Sequence, residues 1–250
     1  MASVNDPRLD PYRSLRGRPS DEDAFVVEGV TTLRQAIAAG IRPRSALVLP
    51  KKLHEVADLG IPVHVATREV FESITGYDVH RGVLVIAERP PVRALDELLA
   101  ASRRVVAMES ITDSANVGSM FRNAAALGAD AVVFDEGTAD PLLRRSVRVS
   151  IGTVLTVPFA TVPVWPDDLR SAGHTLLALT PDANAISLDD LVPPERYVLL
   201  VGTEGSGLSR GAMDAADVRV RIPMHRGVDS INVATALAIA LYAMSSRATR

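Results

Sequence analysis

Two polar side chains stand just ahead of a nearly all-apolar stretch near the C-terminus. Ser230 and Asn232 follow a strand-like run that ends at Pro223 and a turn that contains Gly227, and an Ala-rich helical pattern begins at Val233. The first turn of a helix exposes unpaired backbone N–H groups and the positive end of the helix dipole. Polar side chains there either cap the helix or contribute to a site built on it. The stretch alone favours a cap on a core helix.

A second segment with candidate chemistry lies where a strand turns into a helix. A strand is predicted over 104–109, and a polar loop and a helix over 116–127 follow it. That helix carries Asn116, Gly118 and Arg122. Open α/β sheets bind ligands at the carboxyl ends of their strands, and a guanidinium can hold a phosphate through two hydrogen bonds. An ordinary amphipathic helix with an exposed arginine fits the same pattern.

A third, glycine-rich segment follows another apolar run. Gly202, Gly205 and Gly207 come directly after the strand predicted over 197–201, and Glu204 is the charged residue among them. Such glycines expose backbone N–H and C=O groups to a ligand. Their spacing, and the lack of a lysine, differ from the phosphate-binding P-loop and from the dinucleotide-binding motif. A tight turn alone also explains them.

The composition excludes several classes of site. The chain has 250 residues and a formal net charge of −3, with 47% hydrophobic and 23% charged residues, which is ordinary for a globular enzyme. Without cysteine there is no disulfide, thiol nucleophile or thiolate metal site, and the five histidines lack metal-ligand spacing. No signal peptide is recognisable, and the apolar helix over 233–244 is too short to span a bilayer. The sequence therefore predicts a cytoplasmic protein with no metal and no membrane contact.

Strands that alternate with short helices predict an α/β fold in two domains. We expect a flexible, Arg-rich N-terminal arm over 1–22, a smaller α/β domain over 23–88, a stiff Pro-rich linker over 89–97 and a second domain over 98–250. Near-continuous apolar strands in the second domain indicate a parallel sheet that is covered on both faces. The remaining predicted strands are 25–29, 46–49, 62–66, 83–87, 131–134 and 176–179, and further helices are predicted over 30–39 and 141–150.

Together, the three segments resemble the motifs of the SpoU/TrmH branch of the SPOUT RNA methyltransferases. Residues 116–122 match Asn-x-Gly-x-x-x-Arg, 202–207 match Gly-x-Glu-Gly-x-Gly, and 222–233 match Ile-Pro-Met followed by Ser-(Leu/Ile)-Asn-Val, in the family's order. The runs 25–29 and 82–87 resemble the family's small ribosomal-protein-like domain. The combination of the three motifs is more specific than any one of them.

The resemblance implies a C-terminal, trefoil-knotted, parallel-sheet SPOUT methyltransferase domain behind a smaller ribosomal-protein-like RNA substrate-binding domain. It implies S-adenosyl-L-methionine as cofactor and methylation of a ribose 2′-hydroxyl in RNA. Ribosomal RNA is favoured over transfer RNA because the small domain resembles those that present ribosomal RNA. The resemblance also implies a homodimer with the last helix in the interface. The apolar face over 231–244 fits that, although burial within one subunit fits it too.

The resemblance also assigns roles to individual residues. The cofactor-binding residues that it implies are Thr180, Gly202, Ile222 and Ile231. The catalytic residues that it implies are Asn116, Arg122, Glu204, Ser230 and Asn232. Most of the cofactor contacts would use backbone groups, so Ile231, where the family more often has leucine, is a mild departure.

Arg122 is the residue to which the family assigns activation of the ribose hydroxyl. Because a guanidinium stays protonated in proteins, we expect Arg122 to hold a phosphate and stabilise the developing alkoxide, while phosphate or water takes the proton. Asn116, Ser230 and Asn232 would orient the ribose and Arg122. Glu204 would pair with Arg122 or cap a loop.

Another set of arginines follows the first motif. Arg144, Arg145 and Arg148 could line the RNA path together with the N-terminal arm, or they could form a solvated helix face. Nearly all the cations are arginines, which suits phosphate recognition but also fits a codon bias.

Several alternatives stay open. A methyltransferase of the nucleotide-binding-fold type expects a Gly-rich loop after the first strand of its domain, and residues 108–112 contain none. A transfer-RNA 2′-O-methyltransferase, a non-catalytic RNA-binding relative with a retained pocket, and an α/β module for another nucleotide are all compatible with the motifs. The motifs do not distinguish a housekeeping enzyme from one that confers antibiotic resistance.

Overall fold

The structure, a computed structural model, describes residues 4–13, 23–75 and 82–248. Its helices are α1 (Asp10–Arg13), α2 (Val30–Ala38), α3 (Arg68–Thr75), α4 (Leu95–Ala101), α5 (Ser114–Ala126), α6 (Arg144–Val149), α7 (Arg210–Ala215) and α8 (Val233–Ala248). Its strands are β1 (Ala24–Glu28), β2 (Pro43–Val48), β3 (Val63–Val65), β4 (Val83–Glu88), β5 (Arg104–Glu109), β6 (Ala131–Phe134), β7 (Phe159–Thr161), β8 (Thr175–Leu179), β9 (Ile186–Ser187), β10 (Tyr197–Gly202) and β11 (Val218–Arg221). Short 3₁₀ helices cover Pro7–Leu9, Pro50–Glu55, Thr153–Leu155 and Asp167–Ala172.

The described chain forms two compact units. The first contains the residues up to Pro91 together with Pro141–Thr156, and the second contains Val92–Asp140 and the residues from Val157 onward. The break after Pro91 falls inside the linker predicted over 89–97. Residues 141–156 were expected in the C-terminal domain, but they belong to the first unit because α6 packs against β1.

The first unit is built on a four-stranded sheet in the order β1-β4-β2-β3. Strand β4 runs antiparallel to both β1 and β2, and β3 runs parallel to β2. Every residue of β1 is buried, and both α2 and α6 pack against this strand. The sheet and α3 enclose a core that includes Leu47, Phe71 and Leu84.

Residues 7–13 pack against this core and do not form a loose arm. Leu9 and Tyr12 are fully buried in the core, and the Tyr12 hydroxyl lies 2.6 Å from Ser45 Oγ. Burial raises the pKa of Tyr12 to about 12. The predicted flexible arm is therefore wrong for this part, because two apolar side chains among polar neighbours anchor it. Residues 14–22, with Arg16 and Arg18, lie outside the described residues.

A buried ion pair holds α6 in the first unit. Arg144 Nη2 lies 3.0 Å and Nε 3.1 Å from Glu28 Oε2, and the two side chains are 9% and 4% exposed. Arg148 Nη1 lies 3.9 Å from the same oxygen. A buried ion pair adds little net stability, but loss of one partner leaves an uncompensated buried charge. Both expectations for Arg144, a place on an RNA path and a place on a solvated helix face, are therefore wrong, whereas Arg145 is exposed.

The second unit contains a seven-stranded sheet in the order β7-β6-β5-β10-β8-β11-β9. All its neighbouring strands run parallel, so the predicted α/β fold with a parallel sheet is confirmed. Every residue of β6 and β10 is buried, as expected for strands covered on both faces. Because β10 lies between β5 and β8, spatial and chain order differ there. The trefoil knot remains a prediction.

The sequence patterns did not predict helices α3, α4 and α7 or strands β7 and β9, and α4 begins at Leu95, inside the linker predicted over 89–97. Strands β7 and β9 have three and two residues, too few for a recognisable period. Helix α8 begins at Val233 as predicted, and α5 begins two residues earlier than predicted, at Ser114. Among the described residues, no helix combines the length and the apolar character needed to cross a membrane.

Replacing Tyr12 tests whether residues 7–13 are an integral part of the first unit. We expect Tyr12→Ala to lower the free energy of unfolding by about 3–5 kcal/mol, because it empties a fully buried aromatic site. Tyr12→Phe keeps the ring and should cost only about 1 kcal/mol for the hydroxyl contact with Ser45. Urea unfolding measures both, and wild-type stability in Tyr12→Ala would mean that the segment is a loose arm.

Candidate active site

A cavity of about 420 Å³ opens at the carboxyl ends of three neighbouring strands, β8, β10 and β11. Thr180, Gly202, Ile222 and Ile231, the four predicted cofactor-binding residues, all line it. They come together because the three parallel strands end at the same edge of the sheet and α8 begins beside them. Their roles remain predictions.

The walls of the cavity combine aliphatic side chains with peptide groups. Leu179, Val201, Ile222 and Ile231 supply apolar surface, and the glycine-rich loop supplies backbone N–H and C=O groups. Two carboxylates, Glu204 and Asp229, also line the cavity. Such a lining suits a ligand that combines an apolar part with polar or positively charged groups.

The glycine-rich loop between β10 and α7 folds back on the end of its own strand. Thr203 and Gly207 form an isolated β-bridge, in which Gly207 N donates to Thr203 O over 3.0 Å. A Cβ atom on Gly202 would overlap the backbone of Gly207 and Leu208. Position 202 therefore requires glycine for the loop to close this tightly. The segment is a tight turn, as one interpretation of its sequence suggested, and it also forms part of the cavity wall.

The three motifs meet in a cluster of side chains that we call the amide–carboxylate cluster, formed by Asn116, Glu204 and Asn232. Glu204 Oε1 accepts from Asn116 Nδ2 at 2.8 Å and from Asn232 Nδ2 at 3.0 Å. Asn232 Nδ2 also lies 3.0 Å from Asn116 Oδ1. Hydrogen bonds to an ionised acceptor are stronger than neutral ones, so the cluster ties together segments that are far apart in sequence.

Asn232 is also the cap of α8. Its Oδ1 accepts from Ala234 N at 3.0 Å and from Thr235 N at 3.2 Å, which leaves its Nδ2 for the amide–carboxylate cluster. The predicted cap is confirmed for Asn232 but is wrong for Ser230. Ser230 lies two residues further from the helix, and it makes no hydrogen bond within the described part of the chain. Ser230 instead lines the cavity.

Arg122 lies apart from this cluster. Its side chain is exposed on α5, is not among the residues that line the cavity, and has no hydrogen-bond or ion-pair partner among the described residues. The predicted pairing of Glu204 with Arg122 is therefore wrong, because two asparagine amides hold Glu204 instead. The guanidinium remains accessible to an external anion.

Sequence reasoning missed a contact that fixes α5 beside α8. Asn123 Nδ2 donates over 2.7 Å to the backbone oxygen of Ala234, a residue whose N–H is bound by Asn232 of the amide–carboxylate cluster. Asp113 caps the N-terminus of α5, since its Oδ1 accepts from Ala115 N at 2.8 Å. An aspartate just before a helical pattern is a readable cap signal, whereas the partner of Asn123 could not be read from the chain.

A second missed network holds the loop that leads from β5 into α5. Asp135 Oδ1 accepts from Ser110 N at 2.9 Å and from Thr138 Oγ1 at 2.7 Å. Thr138 Oγ1 in turn accepts from Ile111 N at 3.2 Å. These bonds hold Ser110 at a φ of 54°, which is uncommon for a residue other than glycine. They fix the direction in which the chain enters the helix that carries Asn116.

Comparison with known proteins places these observations in a family. The sequence model of the SpoU rRNA Methylase family matches residues 103–242, from β5 into α8, and so includes all three motifs. The chain belongs to this family. Within the described residues, no group of three or more His, Cys, Asp or Glu side chains is arranged to hold a metal ion.

Relatives of this SpoU family member match it over nearly its whole length. An uncharacterized tRNA/rRNA methyltransferase of Mycobacterium bovis is 42% identical over 97% of this chain and 90% of its own length. RlmP of Bacillus subtilis, a 23S rRNA (guanosine(2553)-2′-O)-methyltransferase, is 26% identical over 97% of both chains. An AdoMet-bound rRNA methyltransferase from Sinorhizobium meliloti superposes with a TM-score of 0.86 over 98% of this chain and 97% of that one. At 24% identity, this last similarity establishes the fold.

Gly202 offers a test of how the cavity wall is built. We expect Gly202→Ala to lower the free energy of unfolding by about 1–3 kcal/mol, because the added methyl group pushes against the backbone of the loop. Gly211→Ala is the matched control, since its Cβ would have an ordinary contact 3.8 Å from Ser209 Oγ. It should be neutral or stabilising by up to about 1 kcal/mol. Equal effects of the two variants in urea unfolding would contradict this account.

Proposed function

We propose that the chain is an S-adenosyl-L-methionine-dependent RNA 2′-O-ribose methyltransferase that acts on ribosomal RNA. The observation that carries the proposal is the amide–carboxylate cluster, through which the three motifs of a SpoU rRNA Methylase family member meet beside the cavity. Asn116, Glu204 and Asn232 are all residues for which the family motifs imply catalytic roles. RNA and S-adenosyl-L-methionine are both cytoplasmic, so we propose that the protein acts there.

The residues around the cavity fit S-adenosyl-L-methionine as the methyl donor. The cavity volume of about 420 Å³ lies in the range of about 300–1,000 Å³ that is usual for small-molecule sites. Leu179, Ile222 and Ile231 would pack against the adenosine, and the loop that begins at Gly202 would offer peptide groups to its polar edges. The carboxylate of Asp229 or Glu204 would favour the positive charge of the donor. When bound, the sulfonium supplies an electrophilic methyl group that needs no metal.

The acceptor is the harder part of the reaction, because a ribose hydroxyl is a weak nucleophile until its proton leaves. Ser230 lines the cavity and has no hydrogen-bond partner among the described residues, and its hydroxyl would position the ribose together with Asn116. Glu204 would fix the orientation of the side-chain amides of Asn116 and Asn232. Arg122, whose guanidinium is accessible, would bind the RNA phosphate and stabilise the developing alkoxide, and phosphate or water would take the proton of the hydroxyl.

Ribosomal RNA is the preferred substrate in this proposal. The B. subtilis relative, whose name gives it a 23S rRNA guanosine as substrate, matches 97% of both chains. The M. bovis relative is named for both tRNA and rRNA, which keeps transfer RNA as the alternative. The first unit would contribute to RNA binding, with the exposed Arg145 as a candidate contact.

We also propose that two copies of the chain associate through α8. Leu237, Leu241 and Met244 are buried on one side of this helix. Ile239 and Tyr242 are 39% and 66% exposed, and they are spaced to share another side. A second copy could cover these exposed apolar groups, which supports the homodimer expected from the family resemblance.

Methyl-labelled S-adenosyl-L-methionine tests the proposed function directly. Incubation with ribosomal and transfer RNA from cells that lack the protein should label 23S rRNA in a 2′-O-methylnucleoside, which nucleoside digestion and mapping would identify. Label in transfer RNA alone would support the alternative substrate. Binding of the donor without transfer to any RNA would support a non-catalytic relative, and failure to bind the donor would contradict the proposal.

Arg122→Ala separates the acceptor chemistry from donor binding. We expect methyl transfer to fall by about 10²–10³-fold, because a charge that stabilises the transition state is lost. The dissociation constant for S-adenosyl-L-methionine should stay within about twofold, since Arg122 does not line the cavity. Arg103→Ala, which removes a side chain that is 70% exposed just before β5, is the control and should leave both quantities unchanged. Calorimetry that shows lost donor binding in Arg122→Ala would overturn this division of roles.

A further inference from the structure

Glu109, the last residue of β5, is a buried carboxylate to which the family motifs assign no role. Its side chain belongs to a residue that is only 6% exposed, and no cation pairs with it within the described residues. Its Oε2 accepts a hydrogen bond from Ser209 N over 2.7 Å. Because an unpaired buried carboxylate is costly, this short bond to a backbone N–H is a strong constraint on both partners.

The bond completes the cap of α7 from outside the helix. Ser209 is the N-cap residue, and its Oγ accepts from Ala212 N at 3.1 Å. In a capping box, a glutamate at the position of Ala212 would accept from the N–H of the cap residue. Alanine cannot do so, and Glu109 takes this part from a strand that lies 100 residues away in sequence.

Glu109 is therefore linked to both ends of the glycine-rich loop. At the start of the loop, Gly202 is the register partner of Glu109 in the pairing of β10 with β5. At its end, the Glu109 carboxylate fixes Ser209. Between these two points the loop supplies Gly202, Glu204 and Gly207 to the wall of the cavity.

We propose that Glu109 is a positioning residue for methyl-donor binding: its carboxylate holds the exit of the glycine-rich loop so that the loop keeps its place in the cavity wall. The inference rests on the proposed function for the identity of the donor. Glu109 acts through the backbone of Ser209 and does not touch the reacting groups. Loss of the bond lets the loop exit move and weakens donor binding.

Ser209 allows the bond to be removed without changing Glu109. Its φ of −61° suits proline, so Ser209→Pro deletes the N–H donor while the backbone can keep its direction. Ser209→Ala is the matched control, because it loses the same hydroxyl cap but keeps the N–H. On the other side of the bond, Glu109→Gln retains an oxygen acceptor and Glu109→Ala does not.

Calorimetric titration with S-adenosyl-L-methionine compares these variants in the full chain. We expect Glu109→Ala to bind about tenfold more weakly than wild type, and Ser209→Pro about tenfold more weakly than Ser209→Ala, whereas Glu109→Gln stays within about threefold. Asp217→Ala controls for lost stability alone, since its carboxylate accepts from Leu176 N at 2.8 Å near the opposite ends of the strands. It should leave donor binding unchanged. Equal donor binding by Ser209→Pro and Ser209→Ala, or equal weakening in Asp217→Ala, would overturn the proposal.

Amide hydrogen exchange in the ligand-free chain tests, without the methyl donor, whether the bond between Glu109 and Ser209 holds the loop. The amides of residues 203–208 should exchange faster in Glu109→Ala than in Glu109→Gln, and faster in Ser209→Pro than in Ser209→Ala. Unchanged exchange would overturn the proposed positioning role of Glu109 even if the chain methylates RNA. A wild-type chain that binds no S-adenosyl-L-methionine would instead overturn the proposed function and with it the donor part of this inference.

Discussion

The site depends on the parallel pairing of β5, β10, β8 and β11 in the second unit. Parallel strands end at one edge, and strands that are buried on both faces can carry polar groups only near their ends. The polar residues of three segments that are far apart in sequence are therefore brought to the same edge of the sheet, at the carboxyl ends of the strands. The pairing also sets Glu109 opposite Gly202, so that a side chain at the end of one strand controls the loop at the end of the next.

The amide–carboxylate cluster shows why asparagine suits position 232 better than a basic or an acidic residue would. An asparagine side chain donates and accepts at once. Asn232 uses its oxygen for the N–H groups of α8 and its nitrogen for Glu204, so the cap and the site are two uses of the same residue. The positive end of the helix dipole lies beside the Glu204 carboxylate, which is a favourable arrangement of charge.

The sequence predicted the main strands of the second unit and the segments that meet at the cavity, because apolar runs and glycine-marked loops are local patterns. It did not predict partners across long distances. Nothing in the chain indicates that Arg144 pairs with Glu28, that two amides rather than Arg122 hold Glu204, or that Glu109 caps α7. The N-terminal segment was misjudged because Leu9 and Tyr12 stand singly among polar residues, and only the folded core reveals their anchoring role.

The ion pair between Glu28 and Arg144 means that the linear order of the chain and its physical division do not coincide. The chain passes from one unit to the other after Pro91, after Asp140 and after Thr156, so three peptide connections join the units. A fragment cut at the linker would separate Arg144 from its carboxylate and uncover Leu142 and Val147, which are 3% and 1% exposed in the whole chain. A single cut at the linker therefore leaves residues 141–156, which belong to the first unit, attached to the unit that contains the cavity.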